Sequence, residues 1–344
     1  MKAKKATHDV TGDQLLVTHT VNVGQDGRLD RFLKSFYSRK SREQLKSYIT
    51  SGIVQVIRNQ SPHLTAGRLK PSFQLIAGDE VHITTRKKRE PNVSFDYRVL
   101  YQDEALFVID KPPNLPVHPA GRYYFNTLLV HLRSEGFKAP LRANREFFLV
   151  HRIDKETSGI LVLAKSSETC AHLVEQFASR KTEKIYQAIV RGRVEQNEFS
   201  VDTSLGRDPD SRIKLRVGAI PESQGGQSAL THFKVLDRAG DFTLVECYPK
   251  TGRQHQIRVH LDIAGHPIVG DKLYGLPESE SLKMFERPES SDADTKPYLT
   301  PELEAILLHP RHALHAAGIR FIHPLTNKMM EFKSELAPDL RAFF

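Results

Sequence analysis

Residues 151–165, HRIDKETSGILVLAK, constrain this chain more than any other stretch. Arg152, Asp154, Lys155 and Glu156 run straight into Thr157-Ser158-Gly159 and then into five apolar residues, Ile160 to Ala164. A short apolar run bounded in this way is a buried strand, so the chain must contain a sheet with a covered face. The charges at its mouth have two readings. They cancel on a surface loop, or they serve to keep the Asp154 carboxylate ionised and fixed.

Further strands are expected at 184–191, 230–237, 242–248 and 255–260, with a helix over 167–180 capped near Ser167. YRVLYQDEALFVIDKP gives two more short strands, and Pro112, Pro113, Pro116 and Pro119 force an extended loop after them. Strands joined by short hairpins, with helices interspersed, specify an α+β fold on a mostly antiparallel mixed sheet. Residues 276–300 are polar and acidic and read as a loop insertion.

The N-terminal quarter reads as a separate, small α/β unit over residues 1–85, with its core at 28–83. Two helices are expected in it. Leu29, Phe32, Leu33 and Phe36 mark the apolar face of the first, and Ser41 with Gln44 forms a capping box on the second. TTRKKREPN then begins a linker spanning 86–96, and the second domain runs from 97 to 344. The charge divides the same way. Residues 1–90 hold 17 Lys and Arg against 8 Asp and Glu, whereas the remaining residues hold 33 of each. A basic segment on a neutral body indicates a module for a polyanion, RNA or DNA before membrane. Arg28, Arg31, Lys34, Arg39, Lys40, Arg42 and Lys46 are the basic residues of the two helices.

Several classes are excluded or disfavoured. Cys170 and Cys247 are far apart, which rules out a disulfide framework and fits a reducing compartment. No run approaches the ~20 apolar residues of a membrane helix, so a cytoplasmic location is expected. There is no HExxH, P-loop, GxGxxG or GxSxG. His309, His312 and His315 would align on a helix, but Pro310 interrupts it and no acid or thiol accompanies them. They read as packed, hydrogen-bonding side chains, with no metal site.

Charged groups at strand boundaries remain. In TGRQHQIRVHL, alternation places Gln256, Arg258 and His260 on one face of a strand. An Arg between Ile257 and Val259 is partly buried and needs a carboxylate. Asp154 is the best candidate.

The segments HRIDKETSG with LVLAK, KIYQA at 184–188, TGRQHQIRVHL with GHPIVGDKLYG at 251–275, DKPPNLPVHP at 110–119 and RHALHAAGIRFIHPLT at 311–326 occur in order. Together they resemble the pseudouridine synthase family of the large-ribosomal-subunit (RluA) type. The segments RLDRFL, SREQLKSYITSGIVQV and KPSFQLIAGDEVHI resemble the RNA-binding module named after small-subunit ribosomal protein S-four. The first resemblance implies a catalytic domain with a central RNA-binding cleft and an isomerisation needing no cofactor. It implies that Asp154 is the catalytic carboxylate, as nucleophile or as base. Tyr186 would stack on the uracil and assist at its carbon 5, Arg258 would pair with Asp154, and Arg152 would fill the place of the flipped base. Lys155 and Glu156 would be bystanders. The implied partner is ribosomal or transfer RNA, with HPAGRYYFNTL closer to members acting on transfer RNA, and the implied state is a monomer. The alternatives are a non-catalytic RNA-binding ribosome-assembly factor and a nucleoside hydrolase.

Overall fold

The apolar run is the strand Ser158–Ala164, and all seven of its residues are buried. It lies inside a mixed sheet of ten strands, antiparallel to Leu106–Lys111 on one side and parallel to Leu314–Ile322 on the other. The parallel contact pairs Gly159 with Ala316 so closely that a Cβ on Gly159 would stand 2.3 Å from the Ala316 carbonyl oxygen. Gly159 also has a φ of +107°. Both facts explain why TSG, and not a bulkier tripeptide, opens this strand. The structure, a computed structural model, describes every residue except 1–5, 12–13, 26, 38–39, 59–60, 65–68, 87–89, 122, 135–146 and 286–299.

The chain forms two compact units, residues 1–89 and 90–344. In the second, the main path of the sheet runs through the strands at 198–202, 230–239, 242–249, 183–191, 314–322, 158–164, 106–111 and 98–102. Its two faces carry separate apolar clusters. Phe107, Ile109, Leu161 and Leu163 lie in one, and Leu106, Val108, Ile160 and Val162 in the other. This is the alternation of a strand covered on both faces. Helix Ser167–Ala178 is capped by Ser166, whose side chain accepts from the Thr169 N–H, one residue before the expected cap.

Three expectations need correction. Residues 255–260 are not a strand. Gln256–Ile263 is a helix, and every residue from 256 to 261 is buried. Its polar–apolar alternation therefore records polar partners inside the protein, not a solvent face. The insertion 276–300 is not all loop, because Glu278–Phe285 is a helix. Leu276 and Met284 pack with Leu303 and Leu307 in a small core of their own. Finally, residues 90–96 do not behave as free linker. Glu90 is buried and accepts hydrogen bonds from the Phe125 and Asn126 N–H groups, while Val93 and Phe95 pack on the second unit's core.

In the first unit the helices are Leu29–Phe36 and Arg42–Thr50, and the Ser41–Gln44 capping box is formed reciprocally. Its five-stranded sheet includes Ala6–Thr11 and Gln14–Thr20, upstream of the expected 28–83 core; Gln14–Thr20 pairs with Glu80–Arg86. Arg31, Arg42 and Lys46 are exposed. Arg28 is already held by Asp30, at 3.0 and 2.8 Å, and Lys40 lies over the Tyr48 ring. Arg39 falls outside the described residues.

Candidate active site

The segment that carries Asp154 is braced from every side. The His151 Nε2 accepts from the Val162 N–H at 3.0 Å. The Asp154 carbonyl accepts from the Thr157 N–H. Thr157 Oγ1 shares a hydrogen bond of 2.8 Å with His312 Nε2, and Ser158 Oγ shares one of 3.0 Å with His315 Nδ1. Lys111, fully buried, donates to the Lys155 carbonyl, and Arg311, 1% exposed, donates to the Glu156 carbonyl. The Glu156 carboxylate takes both the Lys272 ammonium, at 2.9 Å, and the His312 N–H. Glu156 is therefore not a bystander: it ties the Asp154 loop to the 272 and 312 segments. The three histidines serve this frame through His312 and His315, while His309 bonds the Arg311 carbonyl.

Arg258, on the 256–263 helix, meets Asp154 as expected, with Nη1 donating to Oδ2 at 2.9 Å. Its other edge is taken by a residue that the sequence did not reveal. Asp271 accepts from Nε at 2.6 Å and from Nη2 at 2.8 Å, and its Oδ1 also accepts the Leu273 and Tyr274 N–H groups. The guanidinium is thus gripped bidentately by one buried carboxylate and offers its last arm to another. The side chains differ in exposure: 26% for Asp154, 7% for Arg258 and none for Asp271. Asp154 is the carboxylate that faces open space.

That space is a cavity of about 430 Å³, lined by Arg152, Asp154, Tyr186, His255 and Arg258 among others. Tyr186 lies on the strand Glu183–Arg191, where it pairs with Cys247 and Ala316. Arg152 projects from the loop, is exposed, and has Nη1 3.3 Å from His118 Nε2. The structure therefore brings Arg152, Asp154, Tyr186 and Arg258 to one cavity. His255, also hidden in the sequence, sits at the helix N-cap in the left-handed region (φ 54°), a conformation that is costly for a non-glycine residue. Its Nδ1 shares a hydrogen bond with the Tyr274 hydroxyl at 2.9 Å.

The electrostatics separate these groups. Burial pushes the Asp154 carboxyl up, but the Arg258 charge and hydrogen bond, with the charge of Arg152, hold it below the usual carboxylate range. The carboxylate is ionised at neutral pH. Burial, then the negative Asp154, pushes the Tyr186 hydroxyl far up, so it stays a phenol. Burial and the neighbouring Arg258 push His255 down to about 4.

Ribosomal large subunit pseudouridine synthase D of Neisseria meningitidis serogroup B (strain ATCC BAA-335 / MC58) is 34% identical over 322 residues, covering 91% of this chain and 77% of the relative. The chain belongs to the RNA pseudouridylate synthase family. Ribosomal large subunit pseudouridine synthase C of Escherichia coli (strain K12) is 33% identical over 326 residues, with 91% of each chain covered. The family model for RNA pseudouridylate synthase matches residues 105–262, a span that includes Asp154, Tyr186 and Arg258 but not Asp271. Among solved structures, human RNA pseudouridylate synthase domain containing 4 is similar with a TM-score of 0.52 and 27% identity, over 71% of this chain and 90% of that one. As a pseudouridylate synthase the protein is an isomerase, which agrees with the α+β mixed-sheet fold and the ordered motifs.

This pseudouridylate synthase keeps two half-buried histidines of the site region neutral, and that has a consequence for its stability. His151 is pushed down to about 3 by burial, and His255 to about 4. Unfolded histidine takes up its proton near pH ~6.5. Below that pH the unfolded chain binds more protons than the folded one, so stability falls with pH. The melting temperature is expected to drop steadily from pH ~6.5 towards pH ~4. A flat profile by scanning calorimetry over that window would contradict the neutral form of these two side chains in the fold.

Proposed function

We propose that this protein converts uridine to pseudouridine in ribosomal large-subunit RNA, with Asp154 as the reacting carboxylate. The observation that carries the reading is the Asp154–Arg258 pair: an ionised carboxylate, fixed by a buried guanidinium and open to a cavity beside an aromatic ring. Asp154 attacks the uridine or removes a ribose proton. The bond from nitrogen 1 to the ribose breaks, the uracil turns while held, and carbon 5 bonds to the ribose; Asp154 is released from its adduct or returns the ribose proton, the carbon 5 proton leaves to water, and nitrogen 1 takes a proton up in exchange. Tyr186 stacks on the uracil, an interaction of roughly 1–3 kcal/mol per base. Its resistance to ionisation favours stacking over proton removal. Arg152, exposed at the mouth, fills the stack vacated by the flipped base, whose unstacking costs a few kcal/mol.

Large-subunit RNA is favoured over transfer RNA because the relatives are named for it. The test uses RNA tritiated at carbon 5 of uridine, with no added cofactor. Release of tritium to water supports isomerisation. Free uracil would indicate a hydrolase, and no release from either ribosomal or transfer RNA would indicate a binding protein. Chemical mapping of pseudouridine in a strain lacking the gene then assigns the RNA, and loss of a site only in transfer RNA would overturn the ribosomal assignment.

The basic N-terminal unit is proposed as the RNA-binding module. Arg31, Arg42 and Lys46 are its exposed helix cations. Replacing all three with Ala is expected to weaken RNA binding and to reduce the slope of log affinity against log salt by roughly 2–3, about one for each phosphate no longer neutralised. An unchanged slope in filter-binding titrations at several salt concentrations would remove the unit from the RNA interface.

A further inference from the structure

The cavity is strongly unbalanced in charge. Arg152, Arg180, Lys184, Lys250 and Arg253 line it in addition to Arg258, whereas Asp154 is its single carboxylate. Arg258 is neutralised by Asp154 and Asp271, and no other member of the set makes an ion pair among the described residues. Lys184 is the best placed of them. It stands two positions before Tyr186 on the strand Glu183–Arg191, and both residues line the cavity while Ile185 between them does not. Its Nζ donates to the Thr251 carbonyl at 2.9 Å and lies beside Gly252, where a Cβ would stand in ordinary contact with Nζ at 3.6 Å. One of the three ammonium donors is therefore used, on a neutral acceptor, and the other two have no protein acceptor among the described residues.

A half-buried ammonium without a carboxylate is costly unless an anion completes it. Burial pushes Lys184 down to about 8, so it is still largely protonated at neutral pH but would hold its proton more firmly with an anion beside it. The uracil ring is neutral. The anionic parts of a flipped nucleotide are the phosphates on either side of it.

We infer that Lys184 is a positioning residue that grips a phosphate flanking the target uridine, on the same strand face that presents Tyr186 to the base. Thr251 fixes the ammonium, and the phosphate takes the free donors as a point-charge contact. Base and backbone would then be held by a single strand, which sets the sugar's distance from Asp154 while the ring turns.

This inference rests on the proposed isomerisation of uridine, and the test separates the two. The probe is a fragment of large-subunit ribosomal RNA from which the full-length protein releases tritium. It is made with ordinary phosphates and, in two further versions, with a neutral methylphosphonate 5′ or 3′ to the target uridine. Absence of release from the unmodified RNA would overturn the isomerisation and this inference with it. If release occurs, Lys184→Met is expected to lower kcat/KM about tenfold or more, chiefly through KM, as removal of a charge-assisted hydrogen bond requires. One methylphosphonate should cost the wild-type enzyme a similar factor, and the variant acting on that RNA should lose little more than either change alone. Lys184→Arg should recover most of the loss. If the Met variant fails to fold, the methylphosphonate series on wild type and on Lys184→Arg still decides the matter. Effects that multiply independently, or a wild-type enzyme indifferent to both neutral linkages, would overturn the assignment.

Discussion

Arg258→Ala is expected to lose turnover by on the order of 10²–10³-fold and to lose stability as well. The reason lies in the pairing. Arg258 serves two carboxylates at once, bidentate to Asp271 and single-armed to Asp154. Removing it leaves Asp271 buried without a counter-charge, and breaking a buried pair from one side costs roughly 3–5 kcal/mol. It also removes the main influence that opposes burial and keeps Asp154 ionised. The Asp154 carboxyl would rise toward the neutral acid, which can neither attack nor accept a proton. Arg258→Lys separates the two effects. One ammonium cannot reproduce the fork on Asp271 and still reach Asp154. That variant is expected to regain part of the lost stability, measured by denaturant midpoint, while turnover stays low. Near-normal tritium release by the Lys variant would show that the guanidinium geometry is not what activates Asp154.

The parts of the site that the sequence made legible are those where a local rule applies. Five apolar residues after a Gly, too short a run for a typical helix, read as a buried strand, and an ionised group at its mouth needs a partner. That reasoning reached both Asp154 and Arg258, which lie 2.9 Å apart despite some hundred residues between them. The capping box at Ser41 is likewise a rule of four consecutive residues. What stayed hidden depends on packing. Gln256, Arg258 and His260 alternate with apolar residues and so imitate a strand, yet each of these polar side chains on this fully buried stretch of helix has at least one internal partner, although His260 Nε2 has none among the described residues. Gln256 Nε2 donates to the Leu230 carbonyl, Arg258 donates to its two aspartates, and His260 Nδ1 shares a hydrogen bond with Thr231. Period-based reading assumes that polar means solvent, and in this helix it does not. Asp271 and Glu156 were missed for a related reason. Nothing in GDKLYG or DKE marks which neighbouring cation each will meet, and Glu156 meets Lys272 rather than the adjacent Lys155. The helix Glu278–Phe285 was obscured by its acidic composition, since among the described residues of that region only Leu276, Ser281 and Met284 are buried.

Asp154→Asn probes the reacting group itself. The change is close to isosteric, and the amide oxygen can still accept from Arg258 Nη1, so the loop, the Asp271 grip and the cavity should all persist. What is lost is the ionised oxygen. If Asp154 is the group that attacks the uridine or takes the ribose proton, no neighbour replaces it: Tyr186 resists ionisation, His255 faces the Tyr274 hydroxyl, and Asp271 is enclosed by Arg258. The variant should bind RNA and melt like the wild type while its turnover falls by ~10⁴-fold or more. The decisive measurement is single-turnover release of tritium from carbon 5 of uridine in ribosomal RNA, with wild type and Asp154→Asn side by side at equal RNA occupancy. Release by the wild type, and none above background by the variant, is the expected result. Release by Asp154→Asn at even a tenth of the wild-type rate would contradict the role assigned to this carboxylate.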